Sequence, residues 1–135
     1  MATDLLRHAR RYGVPFAFNP HFPINTLALM RGAIGYQMQR PEDFARYLEV
    51  LFKALWIDQR NLGDEAVLAA ALTEAGLDPE QFRALITDDQ VKNALKANTE
   101  EAVQRGVFGA PSFFVGDEMF FGQDRLDFVE EALQT

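Results

Sequence analysis

The stretch "GAPSFFVGDEMFFGQDR", residues 109–125, decides the fold of this chain. Two short runs rich in aromatic residues, Ser112–Val115 and Met119–Phe121, lie on either side of Gly116-Asp117. Aromatic and β-branched residues favour strands, and a two-residue connection that begins with glycine favours a type II′ turn. The stretch therefore predicts a β-hairpin. Aromatic residues fall on both faces of the two strands, which is typical of a sheet covered by helices on both sides.

A proline stands immediately before the first of these strands. Because proline cannot donate a hydrogen bond to a neighbouring strand, Pro111 is simply explained as the residue at which the strand begins. The alternative is a cis Ala110-Pro111 bond, a form that only about 5–6% of such bonds adopt. A cis bond would turn the Ala110 backbone outward, where it could pair with an extended ligand. The pattern alone leaves both interpretations open.

Polar residues follow the hairpin, where a last helix is predicted from about Asp124 to Leu133. Asp124 is explained most simply as the N-cap of that helix, since Asp is a preferred capping residue. The alternative is a ligand site, because a helix N-terminus attracts a carboxylate and an adjacent Asp attracts an ammonium group. Together Gln123 and Asp124 could then bind an amino-acid head group, which carries both charges.

The rest of the chain is mainly helical in pattern. A short strand is expected at Val14–Phe18, after a first helix and before a proline-rich loop. Apolar residues at helical spacing then predict a block of helices. In this block Asp64 and Asp78 are predicted as N-caps and Gly76 and Gly106 as stops. A lone strand before such a block must join the later hairpin or another chain.

Composition excludes several classes of function. The 135 residues suit a single domain, and the net charge of −7 argues against binding to a nucleic-acid backbone. No cysteine is present, so this chain has no disulfide and no thiolate nucleophile of its own. Its two histidines show no spacing typical of a metal site. No apolar run resembles a signal peptide or a membrane span, so the expected location is the cytoplasm.

The stretch "RGVFGAPSFFVGDEMFFGQDRLDFVEEAL" closely resembles the C-terminal signature of the 2-hydroxychromene-2-carboxylate isomerase family, whose relatives are kappa-class glutathione transferases and DsbA-like proteins. "DLLRHARRYGVPFAFNPHFPINTLALMRGA" is similar to that family's middle section. The resemblance implies one partial thioredoxin-like α/β domain over 1–135. Within it, 26–106 would be a helical insertion and 107–135 the hairpin and last helix of the thioredoxin-like part.

The resemblance also implies glutathione as cofactor, a homodimer and a small aromatic or enone-like substrate. Ala110, before a cis Pro111, would pair its backbone with the cysteinyl part of glutathione. The γ-glutamyl head group would lie at Phe121, Gly122, Gln123 and Asp124. Phe22 would line the substrate pocket, and Arg125 would support the structure.

Family members begin with a strand, a catalytic serine and a helix, and this sequence contains no match to them. It is therefore expected to be a fragment of a longer parent that keeps part of the glutathione site and has little catalytic activity. No residue of the chain is predicted to be catalytic, since Ser112 is the only serine and lies in the hairpin. A non-catalytic helical module for binding or dimerisation is the alternative function. A DsbA-like dithiol oxidoreductase is disfavoured by the absence of cysteine.

Overall fold

The computed structural model describes residues 2–135, which form seven α-helices and a two-stranded sheet. The elements are α1 (Ala2–Tyr12), α2 (Leu27–Gln39), α3 (Pro41–Trp56), α4 (Glu65–Glu74), α5 (Pro79–Thr87), α6 (Asp89–Gln104), β1 (Ser112–Val115), β2 (Glu118–Phe121) and α7 (Leu126–Leu133), with a short 3-10 turn at Gln123–Arg125 before α7. The chain divides into two compact units, residues 1–95 and residues 96–135.

Helices α2 to α5 enclose the core of the first unit. Tyr47 lies at its centre, where its ring is 4.6 Å from that of Tyr36 and 6.1 Å from that of Phe82. Its hydroxyl donates to the Leu29 carbonyl at 2.8 Å. Burial raises the pKa of Tyr36 and of Tyr47 above the usual range, so both phenols stay neutral at physiological pH.

The predicted helix caps are present in the first unit. The Asp64 carboxylate accepts from the backbone of Ala66 at 2.9 Å and of Val67 at 3.3 Å. The Asp78 carboxylate accepts from the backbone of Glu80 at 2.9 Å. These bonds satisfy N–H groups that have no partner within the first turn of a helix, and they confirm both predictions.

The strand expected at Val14–Phe18 is wrong, because this segment pairs with no strand among residues 2–135. Its backbone is bonded to the end of α3 instead. The Ala17 N–H donates to the Trp56 carbonyl at 2.6 Å, and the Gln59 side-chain amide donates to the Phe18 carbonyl at 2.7 Å. Carbonyls in the last turn of a helix lack partners within the helix, so they can accept hydrogen bonds from an adjoining segment. That segment then needs no neighbouring strand.

The hairpin of the second unit has the predicted form. Strands β1 and β2 are antiparallel, with Ser112 opposite Phe121 and Val115 opposite Glu118. Gly116 has a φ of 61°, and Gln59 is the only non-glycine residue of positive φ within residues 2–135. A positive φ at the first turn position alone is what a type II′ turn requires. The strand residues are half-buried or exposed, so the expected cover on both faces of the sheet is not found.

Arg105 joins the end of α6 to this hairpin. Its guanidinium lies 3.7 Å from the centroid of the Phe114 ring and donates to the Gly116 carbonyl at 3.1 Å. Helix α6 ends just before it, and Gly106 has a φ of 91°, as expected for a glycine stop. Val103 in the last turn of α6 is 67% exposed, although its helical spacing from the other apolar residues of that helix predicts a position on the inner face.

Candidate functional site

The structure brings the residues before β1 and after β2 together. The Gly122 N–H donates to the Pro111 carbonyl at 2.9 Å, one residue beyond the Ser112–Phe121 pair of the sheet. The Ala110-Pro111 bond is cis. Residues 110–111 and 121–124, predicted separately at the two ends of the hairpin, therefore form one continuous surface, which we call the cradle.

Ala110 contributes unpaired backbone groups to the cradle. On one side of it, the Gly109 carbonyl accepts from the Ser112 hydroxyl at 2.6 Å, and on the other the Pro111 carbonyl accepts from Gly122. Within residues 2–135, neither the N–H nor the carbonyl of Ala110 has a hydrogen-bond partner, and the residue is exposed. The cradle thus offers a donor and an acceptor on one extended residue. The Ser112 hydroxyl is occupied by its bond inside the loop.

Two aromatic rings form one wall of the cradle. The centroids of Phe108 and Phe121 are 4.6 Å apart, and Phe108 is 72% exposed. A Cβ atom placed on Gly109 would lie 2.8 Å from the Phe121 ring, so only glycine allows this close approach. Phe108 did not emerge from the sequence reasoning. Its position directly before Gly-Ala-Pro is the signal that could have identified it.

Replacing Gly109 with alanine should displace the Phe121 ring and destabilise the second unit by about 1–3 kcal/mol, the usual cost of overpacking. The near-ultraviolet circular dichroism signal and the urea midpoint would report the two effects. The same change in a Phe121→Leu background should cost less, because the ring that obstructs the new methyl group is gone. Equal costs in both backgrounds would contradict this account.

Asp124 does not cap the last helix, so its interpretation as an N-cap is wrong. A 3-10 turn separates the hairpin from α7, and this turn places Asp124 inside it rather than before the helix. Neither cap residue, Gly122 for the turn nor Arg125 for α7, makes a side-chain capping bond. The exposed Asp124 carboxylate has no hydrogen-bond or ion-pair partner among the described residues.

Gly122 allows the Asp124 carboxylate to lie where it does. Its φ is 103°, and a Cβ atom at this position would lie 2.5 Å from Asp124 Oδ1. A side chain here would be strained and would also push the carboxylate away. Gln123 is half-buried at the start of the turn, and the Arg125 guanidinium lies 6.0 Å from the centroid of the Phe128 ring. The N-terminal end of α7 adds a partial positive charge to this side of the cradle.

Phe22, the predicted substrate residue, belongs to the other compact unit. Its ring is 65% exposed and lies 5.6 Å from the ring of Trp56. No group of three or more His, Cys, Asp or Glu residues within 2–135 could hold a metal ion. None of the helices described is long and apolar enough to cross a membrane.

Comparison with known proteins defines the class. The model of the DSBA-like thioredoxin domain matches residues 1–134. The chain therefore belongs to the DsbA-like thioredoxin family, and its fold is of that type. Within that family it is similar to 2-hydroxychromene-2-carboxylate isomerase of Pseudomonas putida, with 31% identity over 98% of this chain and 64% of that protein. This confirms the resemblance inferred from the two motifs.

Two further similarities agree with this assignment. Glutathione S-transferase kappa 2 of Caenorhabditis elegans is 29% identical over 98% of this chain and 64% of that protein. A solved structure of 2-hydroxychromene-2-carboxylate isomerase superposes with a TM-score of 0.77 at 30% identity, and covers 98% of this chain and 64% of that one. The chain thus spans less than two thirds of the length of these relatives.

Proposed function

We propose that this chain binds glutathione at the cradle. The observation that carries the proposal is that two groups of the cradle have no hydrogen-bond partner among the described residues: the backbone of Ala110 and the carboxylate of Asp124. A γ-glutamyl tripeptide carries groups that would bind to both. The cysteinyl backbone presents a donor and an acceptor for Ala110, and the γ-glutamyl ammonium presents a cation for Asp124.

The remaining cradle residues support the same ligand. The N–H groups at the start of the turn before α7 and the helix dipole favour the α-carboxylate of the γ-glutamyl head. Gly122 keeps the backbone open beside Asp124, and the exposed edge of Phe121 adds apolar contact. Gln123, at the first position of the turn, completes the set of residues that we assign to glutathione, with Pro111 directly after Ala110.

The proposed activity is that of a glutathione-dependent isomerase of the 2-hydroxychromene-2-carboxylate type, or of a related glutathione transferase. Glutathione, when bound, supplies a thiol that can act as a nucleophile towards an aromatic or enone-like substrate. This chain's own residues bind and orient: the cradle holds the peptide, and Phe22 contacts the substrate. We assign none of its residues to catalysis. A cytoplasmic homodimer is part of the same proposal.

Isothermal titration calorimetry of the folded chain tests glutathione binding. We expect a dissociation constant of about 1 mM or tighter, equivalent to about −4 kcal/mol. N-acetylcysteinylglycine is the matched control ligand, because it keeps the cysteinyl amide backbone and has no ammonium group for Asp124. It should bind more weakly. If a chain with native circular dichroism takes up neither ligand, the proposal is wrong.

A non-catalytic module for binding or dimerisation is the second candidate. The observation that favours it is a group of exposed apolar side chains at the end of α3, where Phe52 is 64% and Ile57 40% exposed and both line one open depression. Contiguous exposed apolar surface is typical of interaction sites. Sedimentation velocity discriminates the two candidates when combined with the calorimetry. Self-association without glutathione binding would favour the module, whereas glutathione binding by the chain favours the enzyme family's function.

A further inference from the structure

We propose that Trp56 is a positioning residue, which holds the exposed ring of Phe22 so that it stacks on a planar aromatic substrate. The inference rests on the proposed function, in which Phe22 contacts the substrate. It adds a second residue, from the end of α3, through which the Phe22 ring would favour the flat ring of the proposed substrate over a saturated ring of similar size.

Four aromatic rings contact one another near the end of α3: those of Phe16, Phe18, Phe22 and Trp56. The Trp56 ring is stacked with Phe16 at 5.8 Å between centroids, with 19° between the ring planes. On the same indole, Phe22 packs at 5.6 Å with the planes tilted by 51°. Phe18 meets Phe16 edge to face at 5.0 Å. Rings in these arrangements contribute beyond their buried area, so Trp56 is held by Phe16 and in turn limits where Phe22 can lie.

Hydrogen bonds attach the loop that carries Phe22 to the same end of α3. Asn19 is a polar residue that is buried, with only 6% of its surface exposed. Its side-chain amide donates to the carbonyls of Leu55 at 3.0 Å and Arg60 at 2.7 Å, and its oxygen accepts from the His21 N–H at 2.8 Å. The Ala17 N–H donates to the backbone carbonyl of Trp56 at 2.6 Å.

These bonds explain why the loop stays in place. The carbonyls at the end of a helix must find donors from outside it, and leaving a buried polar group without a partner is costly. Asn19 uses both ends of its side chain in the attachment. Phe22, three residues later, is therefore an exposed ring on a fixed support rather than on a free loop.

Fixed support and exposure together indicate ligand contact. A ring buried in the core would have no free face, and an unsupported ring would lose conformational entropy on binding. Phe22 avoids both costs, since it is 65% exposed and rests on Trp56. Stacking on a flat ring system depends on parallel or tilted π faces, which a saturated ring does not provide.

The test uses the full chain and its single tryptophan, Trp56, as a fluorescent reporter. The probe is 2-naphthoate, with cyclohexanecarboxylate as the saturated control. We expect saturable quenching by 2-naphthoate and a clear preference for it over the control. Phe22→Leu, which keeps an apolar side chain of similar size, should weaken 2-naphthoate binding about threefold to tenfold, the usual worth of an aromatic pair.

Trp56 variants are measured by calorimetry, since they lack the reporter. Trp56→Leu should lose the preference for 2-naphthoate over cyclohexanecarboxylate although Phe22 is intact. Trp56→Phe should restore that preference, because a ring again supports Phe22. A purely structural role for Trp56 would leave the preference unchanged in both folded variants, and that result would overturn the inference. Should Trp56→Leu fail to fold, Trp56→Met, which also lacks a ring, decides between the two roles in the same way.

The outcomes separate this inference from the proposed function. Glutathione binding without selective 2-naphthoate binding would overturn the inference and leave the function standing. Selective 2-naphthoate binding that depends on Phe22 and Trp56, without glutathione binding, would support the inference and remove the glutathione part of the function. Quenching that is unchanged in Phe22→Leu would place the probe elsewhere and overturn the inference.

Discussion

Replacing Asp124 with asparagine should weaken glutathione binding about tenfold while leaving the fold intact. The carboxylate has no partner among the described residues, so its loss breaks no bond within the protein. A charged hydrogen bond to an ammonium contributes about 1.5–3 kcal/mol when shielded and less at an exposed site. Asp124 is exposed in the free chain and a bound ligand would shield it only in part, so we expect the lower end of this range, which corresponds to about tenfold in the dissociation constant. Calorimetry measures it directly.

Asp127 provides the matched control. It lies in the first turn of α7 and is also exposed, so Asp127→Asn changes the net charge by the same amount close to the cradle. This variant should bind glutathione within about twofold of the parent, since Asp127 is assigned no contact with the ligand and an exposed charge that makes no contact is screened by water and salt. Equal losses in both variants would mean that only the overall charge matters. A loss of stability of about 1 kcal/mol in Asp124→Ala, with no effect on the ligand, would instead indicate a capping role.

Replacing Gly32 with alanine should destabilise the first unit by about 1–3 kcal/mol, through overpacking of a core with no spare volume. A Cβ atom at this position would lie against the Tyr47 hydroxyl and 2.6 Å from the Phe82 ring. Tyr47 cannot move aside freely, because its hydroxyl is bonded to the Leu29 carbonyl and its ring is fully buried. Urea unfolding followed by circular dichroism at 222 nm would measure the change.

The sign of this effect makes it diagnostic. Alanine is better than glycine within a helix by about 1 kcal/mol, so propensity alone predicts that Gly32→Ala would stabilise α2. Tyr47→Phe removes the oxygen that the new methyl group would meet, at the cost of the buried hydrogen bond. In a double-mutant cycle the two changes should therefore couple favourably. A stabilised Gly32→Ala variant, or additive effects, would show that α2 and α3 can move apart without cost.

Local patterns predicted the helices and the hairpin well. Pro41 at the start of α3, Asp64 and Asp78 at their caps, and Gly116 in the turn all act through neighbouring residues. Each of these signals depends on bonds or dihedral angles within a few positions of the residue itself. That is why the sequence contains enough information to predict them.

The errors share a different cause. The sequence suggested a strand at Val14–Phe18, but the partner of that segment is the end of α3, some forty residues away in sequence. Asp124 looked like a helix cap, but a 3-10 turn shifted it by one step. Both outcomes depend on where backbone groups find partners, and the residue types at those positions do not specify which partner it will be.

The candidate site also combines features that the sequence predicts with features that depend on distant residues. The sequence by itself determined the residue types in the cradle and, through the motif that runs from Gly109 to Arg125, the family to which the chain belongs. Only the tertiary structure decided that the backbone of Ala110 and the carboxylate of Asp124 are both left without partners, and that Asn19 and Trp56 support Phe22. The physical reason is that a motif specifies local geometry, whereas an unpaired group is defined by every other residue that could have reached it.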